Sequence, residues 1–85
     1  MKTTNAIAQA IRKVVTEHFF INPEYFQLNR TFKNDFGFNS LEMTELVVMI
    51  EQQFDINIPD HSLSTVRNVH DLITVTEQSF NRKKA

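Results

Sequence analysis

The chain has 85 residues, a formal net charge of −1 and no cysteine. At 41% hydrophobic and 22% charged it has the make-up of a folded globular chain, which argues against disorder. The charge offers no basic surface for nucleic acid, the missing cysteine excludes disulfides and thiolate metal sites, and one modest core leaves no room for a large enzyme cleft.

Met1 to Ala10 carries one lysine and no long apolar run, so it does not read as a signal peptide. No stretch approaches the roughly 18 apolar residues of a membrane span. The expectation is a single cytoplasmic domain over residues 1–85. One glycine and two prolines predict long helices joined by few loops.

The first helix is expected over Thr4 to His18, where Ile7, Ile11, Val14 and Val15 recur at helical spacing beside Ala10. Lys13 and Glu17 fall on its outer surface. A long connection follows, Phe19 to Asn39, with Pro23-Glu24 placed to start one short turn. Loops of that length are functional or tied down by their own side chains. Phe19, Phe20, Ile21, Phe26, Leu28, Phe32 and Phe36 are the expected anchors.

The second helix is expected from Ser40 to Phe54. Asn39 is a good cap, and Glu42 three residues later completes a capping box. A short third helix is expected after Ile58-Pro59, with Asp60 as its cap, reaching about Val66. The last helix starts after Asn68, with Asp71 three residues on, and uses Val69, Leu72, Ile73, Thr76 and Phe80. Its Ile-Thr-Val-Thr run has moderate helix propensity, so packing must hold it. The basic tail Arg82-Lys83-Lys84 reads as a frayed helix end, where cations suit the dipole. No segment shows strand alternation with hairpin turns. The fold class is all-α, a four-helix bundle of three main helices and one short one.

The second helix carries the information. Met43, Leu46, Val47, Ile50 and Phe54 share one side and form its core stripe. Leu41, Thr44, Val48 and Gln52 fall nearly opposite, with Glu45, Glu51 and Asp55 around them. Leu41 and Val48 are thus apolar residues expected to face water. Two readings stay open for them, scattered exposed residues of no consequence or a docking strip. Ser40 also has two readings. It is a tolerated polar residue in a first turn, or an attachment point whose phosphate would sit at the positive end of the helix dipole, worth about 0.3–1 kcal/mol.

Asp35-Phe36-Gly37-Phe38-Asn39-Ser40-Leu41-Glu42, continued by Glu45-Leu46-Val47, Glu51-Gln52-Gln53-Phe54-Asp55 and Ile58-Pro59-Asp60, resembles the acyl carrier protein family. That family's signature is Asp-x-Gly-x-Asp-Ser-Leu followed by an acidic residue. Thr31-Phe32 and the spacing of the first and last helices extend the resemblance over nearly the whole chain. It implies that a phosphopantetheinyl transferase moves 4'-phosphopantetheine from coenzyme A onto Ser40, and that the arm's thiol carries an acyl group as a thioester. It also implies docking on the second helix, by residue match at Leu41, Glu42, Glu45 and Val48. Met43 and Val47 are candidates for lining an acyl pocket, with plain core packing as the alternative.

The chain departs from the pattern in four places. Asn39 stands where Asp is usual, Glu51-Gln52-Gln53 is less acidic than the common run, and His61 and Ser64 replace common acids. Phe36 and Phe38 are bulkier than the usual neighbours of the motif glycine. Phe38 either adds contact beside the arm or is buried under the long loop. A weakly acidic carrier implies dedicated partner enzymes reached more through apolar contact than through lysine and arginine. His18, His61 and His70 are not spaced as a metal site. No nucleophile elbow, phosphate-binding glycine loop or carboxylate pair is present, so the chain reads as a non-enzyme, and a monomer suits a shuttle. Arg67 reads as solvated, or as a contact for a phosphate or a partner's acid. An aminoacyl or peptidyl carrier on the same fold is the near alternative, although those often show Gly-Gly before the serine, where this chain has Gly37-Phe38-Asn39. An unmodified interaction module is the alternative from another class.

Overall fold

Isoleucine and valine at three- and four-residue intervals give the N-terminal segment one apolar face, and that face builds helix α1 (Thr3–Lys13). The computed structural model describes residues 3–84, with Lys84 described in its backbone only. The leader reading at Met1-Lys2 and the side chain of Lys84 in the basic tail therefore lie outside the described residues. Ile7, Ala10 and Ile11 are buried on the inner face of α1. The helix continues to the expected His18, but as a π-helical turn, Val14–His18. The Phe19 amide donates to the Val14 carbonyl there, at 3.2 Å. No glycine follows to close the helix. Phe20 adopts a left-handed φ of 60° instead, a conformation that costs an L-residue about 1–2 kcal/mol.

The long connection holds one 3₁₀ turn, Pro23–Tyr25, whose Glu24 amide is capped by the Asn22 side chain at 2.9 Å. Helix α2 (Ser40–Phe54) has the expected bounds and ends on Asp55 at a left-handed φ of 52°. Helix α3 (Asp60–Leu63) is shorter than expected and has Pro59, not Asp60, at its cap position. Ser64 and Thr65 end it, because their hydroxyls turn back onto the carbonyls of His61 and Ser62, both at 2.7 Å. Helix α4 (Val69–Lys84) closes the bundle. Among the described residues there is no strand, only an isolated antiparallel bridge between Thr31 and Asn68. The expected all-α fold of three main helices and one short one is the fold observed.

The core lies where α1 packs on α4 and α2 leans against both. Leu46, Val47 and Ile50 of α2 meet Ile7, Ile11 and Val15, and Val69, Leu72 and Ile73 of α4 in one buried cluster, and Thr76 of α4 is buried too. Val75 and Ser79 of α4 are buried as well, which the helical spacing did not single out. The basic tail is not frayed as far as Lys83. Its ammonium lies 2.8 Å from Asp55, joining the ends of α4 and α2, and Arg82 donates to the Ser79 hydroxyl.

Aromatic packing anchors the long connection, with two exceptions. Phe32, Phe36 and Phe38 are buried, and the Phe38 ring centre lies 4.6 Å from that of Phe19 and 5.8 Å from that of Phe36. Such pairs add roughly 0.5–1.5 kcal/mol each beyond area burial. Phe38 is thus buried under the loop, and it also borders a cavity that opens at Ser40. Gly37 between Phe36 and Phe38 takes φ +73°, which lets both rings turn inward. Phe20 is instead 88% exposed, and the Leu28 side chain is half out in water. Leu28 anchors through its backbone: its carbonyl accepts the His70 amide at 3.0 Å, and the Arg30 carbonyl accepts the Val69 amide at 3.1 Å.

A second fastening lies inside the connection. Asp35 accepts the Thr31 amide at 2.7 Å and the Thr31 hydroxyl, and donates its own amide to Thr31. That backbone bond holds the Asp35 carboxyl below the usual range, against the opposing effect of burial and with help from the Thr31 hydroxyl, Arg30 and Tyr25.

The Asn39 side chain accepts the Glu42 amide and so fixes the start of α2. Asn39→Ala should lower unfolding stability by about 1 kcal/mol in a urea titration, while Asn39→Asp stays close to wild type. Asp35 has a depressed folded-state pKa, so its stabilisation is full above the unfolded carboxylate value and fades as pH falls through the folded one. Asp35→Asn should therefore be the less stable protein at neutral pH and should lose less stability than wild type between roughly pH 5 and pH 2. It keeps the acid response of Asp55, whose carboxyl is lowered by the hydrogen bond from Lys83.

Candidate functional site

An α-helix begins with four backbone N–H groups that have no partner inside it. The two long helices whose starts are capped by asparagine handle these donors differently, and the difference defines the site.

At the start of α4 all four donors are taken. Asn68 accepts the Asp71 amide at 2.8 Å and donates its own amide to the Asp71 carboxylate, while Val69 and His70 donate to the carbonyls of Arg30 and Leu28. At the start of α2 only two are taken. The Asn39 side chain accepts the Glu42 amide at 2.8 Å, and the Glu42 carboxylate accepts the Asn39 amide at 3.0 Å. This is the expected capping box. The amides of Ser40 and Leu41 donate to nothing among the described residues. Ser40 is exposed, and its hydroxyl makes no hydrogen bond there either, while its carbonyl accepts the Thr44 hydroxyl. The structure thus presents a free hydroxyl beside two unpaired donors at the positive end of a helix of 15 residues.

A cavity of about 570 Å³ opens at this point. Its apolar lining comes from Phe32, Phe38, Met43 and Val66, and its exposed members include Ser40, Lys33 and Arg67. Met43 therefore lines a hollow beside Ser40. Val47 does not, being buried in the core, so core packing describes it. Lys33 had no signal in the sequence that tied it to Ser40; its place depends on the Thr31–Asp35 turn and on the pairing of the loop with the start of α4.

The outer line of α2 is as the helical spacing placed it. Leu41 is 76% exposed and Val48 is 41% exposed. Thr44, Glu45 and Gln52 share their exposure. The acids around this line are less free than their sequence positions imply. Glu42 is half-buried and tied to the cap. Glu45 has His18 Nε2 at 2.7 Å from its carboxylate. Glu51 accepts the Ile58 amide at 2.7 Å, fixing the turn after α2. The His18–Glu45 pair joins residues 27 positions apart, and no local pattern could have marked it.

Comparison with known proteins follows the same outline. The family described as phosphopantetheine attachment site matches residues 6–75. An acyl carrier protein of Zymomonas mobilis is 34% identical over 71 residues, covering 84% of this chain and 91% of its own. One from Caulobacter vibrioides is 36% identical over 74 residues, covering 86% and 95%. The crystal structure of an acyl carrier protein from Thermotoga maritima superposes with a TM-score of 0.79 at 25% identity, over 94% of this chain and 93% of that one. Alike in sequence over most of its length and in the arrangement of its helices, the chain belongs to the acyl carrier protein family, whose members bear their cargo on phosphopantetheine.

Proposed function

We propose that Ser40 bears the 4'-phosphopantetheine arm, and that the chain is a single carrier domain, not an enzyme. It serves as a monomeric cytoplasmic shuttle for acyl intermediates in fatty-acid, polyketide or specialised lipid synthesis. The observation that carries this reading is the free Ser40 hydroxyl next to the unpaired amides of Ser40 and Leu41. The donor set fits a phosphodiester, since charge-assisted bonds from backbone N–H groups to phosphate oxygens are strong ones.

In the loading step Ser40 Oγ forms a bond to the phosphorus of coenzyme A that bears the pantetheine. The bond from that phosphorus to the nucleoside bisphosphate breaks, and the hydroxyl proton passes to the phosphopantetheinyl transferase. When bound, the arm supplies a thiol for the acyl thioester. This chain's part is to hold the root of the arm at a fixed helix end and to keep its hydroxyl open to the transferase. Asn39 caps as well as Asp, but it lacks a charge, which supports a transferase that does not read an acid at that position.

The partners we infer are dedicated enzymes that dock on α2 at Leu41, Glu45 and Val48, with Glu42 at the edge. Two exposed apolar residues and acids that already have partners within the chain support contact that is more apolar than ionic. Among the described residues, no helix is long and apolar enough to cross a membrane.

Incubation with coenzyme A and a broad-specificity transferase should add one phosphopantetheine by intact mass, and Ser40→Ala should abolish the gain. A wild-type protein that gains nothing with any transferase would return the chain to an unmodified interaction module. For docking, Leu41→Ser should cut kcat/KM of a partner enzyme for the loaded carrier by about tenfold, as losing about 1.4 kcal/mol of contact would. Strong, steeply salt-dependent binding to a housekeeping fatty-acid synthase component, unaffected by that change, would overturn the dedicated-partner reading.

A further inference from the structure

We propose that Lys33 and Arg67 clamp the phosphodiester at Ser40, so that the near part of the arm rests in the adjoining cavity and does not hang free in solvent. This rests on the reading of Ser40 given above and goes beyond it, since attachment alone says nothing about where the arm lies.

Backbone geometry brings the two cations together. The Phe32 amide donates to the Arg67 carbonyl at 3.0 Å, which sets the neighbouring Lys33 beside Arg67 although 34 positions separate them in the chain. The Thr31–Asp35 bonds hold the turn on which Lys33 sits. The Arg67 amide donates to the Asp71 carboxylate at 3.1 Å, which fixes the other side. Both residues line the same cavity as Ser40.

Charge supplies the second argument. Among the described residues neither cation forms an ion pair. The acids nearby are committed: Asp35 to Thr31, Glu42 to the Asn39 amide, and Asp71 to the amides of Arg67 and Asn68. No acid lines the cavity. In a chain of net charge −1 this is a local excess of two positive charges with no internal counterpart.

Connectivity names the occupant. A group esterified to Ser40 Oγ places its phosphorus one bond from the cavity wall, and a phosphodiester keeps its negative charge at neutral pH. Arginine presents planar paired donors to such an anion, and lysine a point charge. Beyond the phosphate, the pantetheine begins with a methylene followed by a carbon bearing two methyl groups. Phe38, Met43 and Val66 offer that segment an apolar surface. The cavity, at about 570 Å³, falls within the usual range of small-molecule sites, roughly 300–1,000 Å³.

The test uses the full chain loaded with phosphopantetheine and no acyl cargo. Intact mass reports loading. Amide shifts between apo and loaded forms, together with ³¹P relaxation, report where the arm lies. In wild type the amides of residues 31–34 and 66–67 should shift along with those of 39–43, and the phosphorus should relax with the protein. The double variant Lys33→Gln/Arg67→Gln should still gain one phosphopantetheine. It should lose the shifts at 66–67, and its phosphorus should show faster local motion than in the loaded wild type. Added salt should move wild type toward the variant and leave the variant unchanged. Both residues are exposed, and circular dichroism of the variant checks that it is folded. A loaded wild type whose shifts stay within 39–43, with ³¹P relaxation equal to that of the double variant, would sink the clamp and leave Ser40 as carrier. Failure of wild type to gain mass would sink the Ser40 reading and the clamp with it.

Discussion

The reciprocal bonds between Asn39 and Glu42 decide where helix α2 begins. Everything at the site depends on that register. One residue later, Ser40 stands at the first helical position, with its hydroxyl outside the bundle. The box takes two of the helix's four orphan donors and leaves the two that flank the serine. A helix start left half-capped is a poor way to gain stability and a good way to receive an anion. The start of α4 makes the contrast within the same molecule. There the long connection lends its carbonyls to the remaining donors, and no anion site is left.

That connection does two kinds of work. Its aromatic rings fill the space beneath the start of α2, where Phe32, Phe36 and Phe38 pack on one another and on Phe19. Its backbone is stitched to the start of α4 through Leu28, Arg30 and Phe32. The bulk of Phe36 and Phe38, unusual beside the motif glycine, thus has a structural reason. These rings replace the secondary structure that so long a loop lacks. Gly37 makes the arrangement feasible, because its left-handed backbone turns two successive aromatics to the same interior. The result is a fixed wall for the cavity at Ser40.

The outer face of α2, where we propose that partners dock, is shaped by internal pairing as much as by composition. Glu45 has His18 beside it, and Glu42 is occupied by the cap. An exposed polar contact of this kind contributes at most about 1 kcal/mol to stability. Its larger effect is on recognition, since it occupies a carboxylate oxygen that a basic partner would otherwise meet. Leu41 and Val48 then stand out as the exposed apolar residues of the strip. Weak, apolar docking suits a carrier that must release each enzyme in turn.

Much of this was legible in local sequence. Helix spacing, the two asparagine caps and the breaker-poor composition determined the helices, the bounds of α2, its core stripe and the outward placement of Ser40, Leu41 and Val48. These features depend on residues three or four apart, which a linear reading can see. The shortening of α3 was hidden in hydroxyl back-bonding, and nothing in the local sequence marked the π-helical end of α1. Tertiary structure alone decided the rest: that Leu28 anchors by its carbonyl and Phe20 does not anchor at all, that His18 meets Glu45, that Val47 is core while Met43 lines a hollow, and that Lys33 and Arg67 share a cavity with Ser40. Each of these joins segments far apart in the chain. Such pairings are set by how the bundle closes, and no local preference encodes them.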